Sequence, residues 1–145
     1  MTAVAQAFAF EDLAVGQHAE FEAVVDGGSI DRFAALSGDE SPLHVDGEFA
    51  RARGYAGRVA HGAYMVALAS RLAGMYLPGR NGLLLAVQMS FVAPVLAGAH
   101  VKVRGEIDQM SDSVRSIVLK ISVIGTVDGA LLARGRLTVG FTNHG

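Results

Sequence analysis

The run His61-Gly62-Ala63-Tyr64-Met65-Val66-Ala67-Leu68-Ala69-Ser70-Arg71-Leu72-Ala73-Gly74-Met75-Tyr76-Leu77, closed by Pro78-Gly79, sets the architecture of this chain. Ser70 and Arg71 are its polar breaks. A helix on a protein surface is polar over about half its circumference, whereas one that is apolar nearly all round must be buried on most sides. The spacing predicts a buried helix over residues 61–77, stopped by Pro78 and Gly79.

The sequence after it supplies the covering. Residues 83–92 are rich in aliphatic side chains and are followed by a break over 93–98. Val101, Val103, Gly105 and Ile107 then alternate with Lys102, Arg104 and Glu106, the pattern of a strand with one buried face. Residues 116–124 alternate likewise, and Asp128-Gly129 supplies a hairpin turn into residues 131–141. Strands joined by short turns, with no helices between them, imply an antiparallel meander. One buried helix and an antiparallel sheet make an α+β domain, with the curved sheet wrapped around the helix so that its whole circumference is covered.

Upstream, His18 to Val25 reads as a strand ended by a turn at Asp26-Gly27-Gly28. Ser29 reads as the N-cap of a short amphipathic helix carrying Ile30, Phe33, Ala34 and Leu36, which Gly38 stops. Residues 39–60 are irregular, with one Pro and three Gly, and leave room for a helical turn or two over 46–53. A loop-rich segment of that length inside a compact domain tends to be functional.

Composition narrows the function classes. A chain of 145 residues, 51% hydrophobic, makes one domain spanning 1–145 that can bury a core without disulfides or structural metal. Twelve Lys and Arg against 14 Asp and Glu give a net charge of −2, not the basic excess of a nucleic-acid binder. The absence of cysteine excludes disulfide scaffolds, thiolate zinc sites and Cys nucleophiles, and suits the reducing cytoplasm. No apolar run approaches the ~20 residues that cross a bilayer, and Met1 to Phe8 lack the pattern of a signal peptide. A soluble, cytoplasmic protein with no membrane partner is the expectation.

Two residues could do chemistry together. Asp39 and His44 flank Pro42, which biases Ser41 to an extended conformation and argues against a continuous helix. A tight loop can bring an Asp and a His to one water, the minimum equipment for general acid–base catalysis. Gly62, at the start of the buried helix, offers an unpaired backbone N–H at the positive end of the helix dipole. Such a donor suits a developing oxyanion, for example at a thioester carbonyl.

Each residue also has a plainer reading. Asp39 can be a turn residue and His44 a half-buried imidazole. His61 can cap or orient the helix start, and Gly62 can be glycine because the chain enters a crowded space. Ser70 can be a small packing residue bonded to its own backbone, and Asp46 can cap the following turn. Arg51, Arg53 and Arg58 either meet coenzyme phosphates or are solvated loop charges. His18, His100 and His144 show no metal-ligand spacing, so no metal site is expected.

Asp39-Glu40-Ser41-Pro42-Leu43-His44-Val45-Asp46 after a helix ended by Ser37-Gly38, then Gly57-Arg58-Val59-Ala60-His61-Gly62 opening an apolar helix, resembles the MaoC-like (R)-specific enoyl-CoA hydratases. Phe10-Glu11-Asp12-Leu13-Ala14-Val15-Gly16 and Ser90-Phe91-Val92-Ala93-Pro94-Val95 are similar to that family too. The resemblance covers nearly the whole chain and implies the hot-dog fold, a long central helix wrapped by an antiparallel sheet. It implies that Asp39 and His44 are the catalytic pair and that Gly62 is the carbonyl-polarising donor. It also puts Ser70 on the acyl pocket and Ser41, His61 and Tyr64 at the substrate.

The implied reaction is reversible syn hydration of a trans-2-enoyl thioester to the (3R)-3-hydroxyacyl thioester, water adding at C3 while C2 takes a proton. Its substrate is carried by coenzyme A or acyl carrier protein, and no further cofactor is needed. The family usually has Asn where Ser41 stands and often Met after His-Gly, where Ala63-Tyr64 follows here; Tyr64 would narrow the acyl tunnel or add a hydrogen bond. An open sheet edge and a pocket open on one side point to a homodimer at least. A hot-dog thioesterase and a non-catalytic acyl-binding subunit are the alternative readings.

Overall fold

A computed structural model describes residues 3–142, so His144 lies outside the described residues. After a 3₁₀ turn at Phe10–Asp12 come β1 (His18–Val25), α1 (Gly27–Ser37), α2 (Pro42–Val45) and α3 (Gly47–Ala52). Then follow α4 (Gly62–Arg71), a π-helical turn (Leu72–Tyr76), β2 (Gly82–Phe91), β3 (Ala99–Ser111), β4 (Ser116–Gly125) and β5 (Leu131–Phe141). No helix among the described residues is long and apolar enough to cross a membrane.

The five strands form one antiparallel sheet in the order β1-β3-β4-β5-β2. Strands β3, β4 and β5 make the expected meander, but β2 does not pair with β3, its successor in sequence. It lies against β5 at the far edge, because residues 92–98 carry the chain across the end of the sheet. That crossing is pinned by Val92 N–H to the Leu132 carbonyl at 2.8 Å, Ala97 N–H to Arg58 at 2.9 Å and Gly98 N–H to Val25 at 2.7 Å.

The inward residues of the sheet, among them Val101, Val103, Ile107, Leu119, Ile121, Val123 and Leu137, pack on Met65, Leu68, Ala69, Leu72 and Ala73 of the helix. The helix is nevertheless not covered all round. Ala63, Ala67, Ser70, Arg71 and Gly74 are exposed, on the face turned away from this core. Hydropathy counted alanine and glycine as apolar, yet their small side chains present little area whose exposure costs anything. The helix ends by widening: Leu77 N–H reaches the Leu72 carbonyl at 3.0 Å before Pro78 stops the run.

The first helix begins earlier than expected. Asp26, not Ser29, is its N-cap: the Asp26 carboxylate accepts the Ser29 N–H at 2.7 Å, so Gly27-Gly28 form the first turn instead of a loop. Gly38 ends it in the left-handed region at φ 79°, as the sequence implied. Pro42 opens α2 behind an extended Ser41. Asp46 then caps α3, accepting from the N–H groups of Glu48 and Phe49 at 3.0 and 3.2 Å.

Close strand approach demands one residue type. A Cβ at Gly135 would stand 2.0 Å from the Gln88 carbonyl oxygen, a backbone atom of the neighbouring β2. Gly135→Ala must therefore push β2 off β5. We expect a loss of about 2–3 kcal/mol in chemical denaturation, in the range of overpacked cores; unchanged stability would contradict the pairing.

Candidate active site

The irregular segment after α1 and the amino end of α4 converge. Gly38 turns the chain out of α1, so Asp39 begins the loop, and Pro42 starts the short helix that carries His44. Nε2 of His44 lies 3.8 Å from Oδ2 of Asp39. That is too long for a direct hydrogen bond and short enough for one water to bond to both.

The two side chains are held differently. Nδ1 of His44 lies 2.7 Å from the Val59 carbonyl oxygen, which only accepts. Nδ1 therefore carries a proton, and Nε2 is the ring nitrogen turned towards Asp39. The Asp39 carboxylate is half exposed, at 53%, against 14% for His44. Its Oδ1 accepts the Ser41 hydroxyl at 2.9 Å and the Ser41 N–H at 3.3 Å. Those two bonds hold the Asp39 carboxyl below the usual carboxylate range, so it is ionised at neutral pH.

Beside the pair lies a cleft of about 270 Å³, walled by His44, Val59, Ala60, His61, Gly62, Met65, Phe91, Ala93, Pro94, Val95 and Leu132. Its lining is apolar apart from the imidazoles and the backbone at the start of α4. The Gly62 N–H is one of the helix's orphan donors. The ring of Phe91 lies against Gly62 so closely that an added Cβ would sit 3.1 Å from it. Glycine there lets an apolar wall close over an unpaired N–H, where an anion is worth more than in water.

The structure brings Asp39, His44, His61 and Gly62 together. It does not bring Ser70, which the resemblance put on the acyl pocket: Ser70 is exposed on the outer face of α4. Tyr64 stacks on Phe33 of α1, with ring centroids 5.5 Å apart, and lines an outer groove with Ser29, Arg32 and Leu36 rather than the cleft. Ser41 serves Asp39 and is not part of the wall. His61 sits at the N-cap of α4 but makes no capping bond; its Nε2 lies 2.8 Å from the Asp39 carbonyl oxygen and its ring stacks on His44. Arg58 is tied to Asp31 at 2.6 Å and to the His44 carbonyl at 3.3 Å, and Arg53 lies over the Phe49 ring, so these two serve the fold. The Val59 carbonyl and Phe91 escaped sequence reading. Any residue offers a carbonyl, and nothing in Phe91 itself announces what it will cover.

One ligand atom each from Asp39, His44 and His61 lies within 4.8 Å of the others. The trio is not arranged as a chelate. The two imidazoles stack at 3.9 Å with 23° between their planes, so an ion in the plane of one would lie far out of the plane of the other. Each ring also spends one nitrogen on a backbone carbonyl. The arrangement suits moving a proton on a water beside an oxyanion donor.

The family described as MaoC like domain matches residues 11–128. The (R)-specific enoyl-CoA hydratase of Aeromonas caviae is 33% identical over 129 residues, covering 89% of this chain and 96% of that one. The solved (R)-hydratase from A. caviae superposes with a TM-score of 0.86 at 30% identity, covering 91% and 99% of the two chains. R-hydratase PhaJ1 from Pseudomonas aeruginosa gives 0.88 at 28% identity, covering 94% and 87%. With these hydratases the described sheet and helix share the hot-dog fold.

Ser41→Ala removes the stronger of the two bonds that depress Asp39. In a carboxyl ¹³C NMR titration the Asp39 midpoint should move up relative to the wild type, because the charged form has lost a donor. Any activity that needs the Asp39 carboxylate should then begin to fail at a higher pH on acidification. A midpoint that stays put or falls would refute this account.

Proposed function

The chain belongs to the family of MaoC like domains, and we propose that it catalyses the reversible syn hydration of trans-2-enoyl thioesters to (3R)-3-hydroxyacyl thioesters. The observation that carries this reading is the 3.8 Å gap between His44 Nε2 and Asp39 Oδ2 beside the amino end of α4. One water in that gap meets both the Asp39 carboxylate and Nε2 of His44. The thioester carbonyl is polarised by the Gly62 N–H, which makes C3 electrophilic. The water oxygen adds at C3, the Asp39/His44 pair takes one proton from it, and C2 receives one proton from the same pair as the enolate collapses. Removal of water from the 3-hydroxyacyl thioester is the same path reversed.

The carrier of the acyl group is coenzyme A or acyl carrier protein, and no other cofactor enters the chemistry. The apolar walls, with Met65, Phe91, Val95 and Leu132, suit the acyl portion next to the thioester.

The working unit in this proposal is a homodimer. Strand β2 is an edge of the sheet, and Leu83, Leu85 and Phe91 along it are 54%, 57% and 53% exposed. A long apolar edge strand left in water is a site of uncontrolled pairing. A second copy laid antiparallel along β2 satisfies the edge and buries these residues by an isologous contact. It also covers Phe91, the wall of the cleft that one chain leaves half bare.

Purified protein with crotonyl-CoA should lose enoyl absorbance without releasing thiol; thiol release would make it a thioesterase. Asp39→Asn and His44→Ala should each lower turnover at least ~100-fold with the circular-dichroism spectrum intact, as on removal of an acid–base group. Near-normal turnover in folded Asp39→Asn would end the assignment. Sedimentation should give the mass of a dimer for the wild type and of a monomer for Leu85→Glu. A monomeric wild type at micromolar concentration would sink the dimer.

A further inference from the structure

We infer that His61 is a positioning residue that fixes both members of the catalytic pair from a single ring. The inference rests on the hydratase reading. Among the described residues His61 is the one polar side chain that is buried, at 2% exposure. It stands at the N-cap of α4, yet it forms no capping bond. Its Nε2 lies 2.8 Å from the Asp39 carbonyl oxygen. A carbonyl only accepts, so Nε2 carries the proton, and Nδ1 is left as a lone pair. That Nδ1 is buried with no hydrogen-bond partner. An unpaired buried acceptor burdens a fold, so capping and polar satisfaction do not account for a histidine here.

Asp39 needs a tether. It follows a left-handed glycine, its carboxylate is half exposed, and its other hydrogen bonds go to sequence neighbours, Ser37 at the end of α1 and Ser41 in the loop. The bond from His61, 22 residues away, is the one hydrogen bond of Asp39 that leaves that neighbourhood. The same ring stacks on His44 at 3.9 Å, while the bond from His44 Nδ1 to Val59 fixes the ring's rotation. Phe33 packs against His61 at 4.8 Å and keeps it in place. The 3.8 Å gap that must hold one water is thus bounded on both sides by groups resting on His61. Misplacement of such groups by about 1 Å costs up to ~100-fold in rate.

Two substitutions separate the functions of the ring. His61→Phe keeps an aromatic face for His44 and removes the donor. His61→Gln keeps a donor of similar reach and removes the stacking ring. With crotonyl-CoA, His61→Phe should lower kcat ~10–100-fold with KM within ~3-fold, because binding survives while the geometry of the pair does not. His61→Gln should recover part of the loss and not all of it, because the donor to Asp39 returns while the face that carries His44 does not. In an Asp39→Asn background, His61→Phe should cost less than ~3-fold more, since the group it positions is already gone. Imidazole ¹⁵N shifts of the wild type should show His61 protonated at Nε2, a readout that needs no variant to fold. A proton on Nδ1, a wild-type kcat in His61→Phe, or a full loss repeated in the Asp39→Asn background would each overturn the positioning role. A wild-type protein inert towards enoyl thioesters would instead overturn the hydratase reading, whatever the tautomer.

Discussion

An orphan N–H at the start of α4, with an aromatic ring laid against it and an apolar cleft beside it, is the constraint around which the rest of the molecule is arranged. Helix termini ordinarily face solvent or a capping side chain. Here the N-cap residue offers no cap, and the ring of Phe91 presses on Gly62. A donor so placed has to be met by something that arrives from outside. The sheet wraps the helix, α1 and its following loop close the end, and the acidic and imidazole side chains gather where the missing acceptor would come.

The fold was legible where local chemistry and tertiary packing agree. Alternation through Val101, Val103 and Ile107 revealed β3, and the glycine after Ser37 marked the end of α1, because a buried face and a left-handed cap leave direct traces in residue type. Pairing left no such trace. Strand β2 went to the far edge of the sheet because residues 92–98 bond across its end, and those bonds are between backbone groups that every residue carries. The central helix was misjudged for a different reason: Ala63, Ala67 and Gly74 read as apolar but are too small to require burial.

The site divides along the same line. Asp39, His44 and Gly62 could be found because a carboxylate, an imidazole and a glycine at a helix start are chemically distinctive in that order. The resemblance puts Ser70 on the acyl pocket and Tyr64 at the substrate, but Ser70 lies exposed on the outer face of α4 and Tyr64 packs on Phe33 of α1. Sequence spacing along a helix places a side chain on a face only when the buried face is known. Val59 was invisible, since it contributes its carbonyl alone.

Asp46 shows how so short a piece of structure can carry precision. Helices of four and six residues have no independent stability in water, yet α2 and α3 share this one residue. Its N–H closes the last turn of the first on the Pro42 carbonyl at 2.9 Å, and its carboxylate caps the second. The two helices are therefore joined through a single residue bonded to both, with the His44 imidazole mounted on the first of them. A carboxylate that never meets a reactant thus acts as a rivet, and loosening it would be felt as lost alignment at a distance.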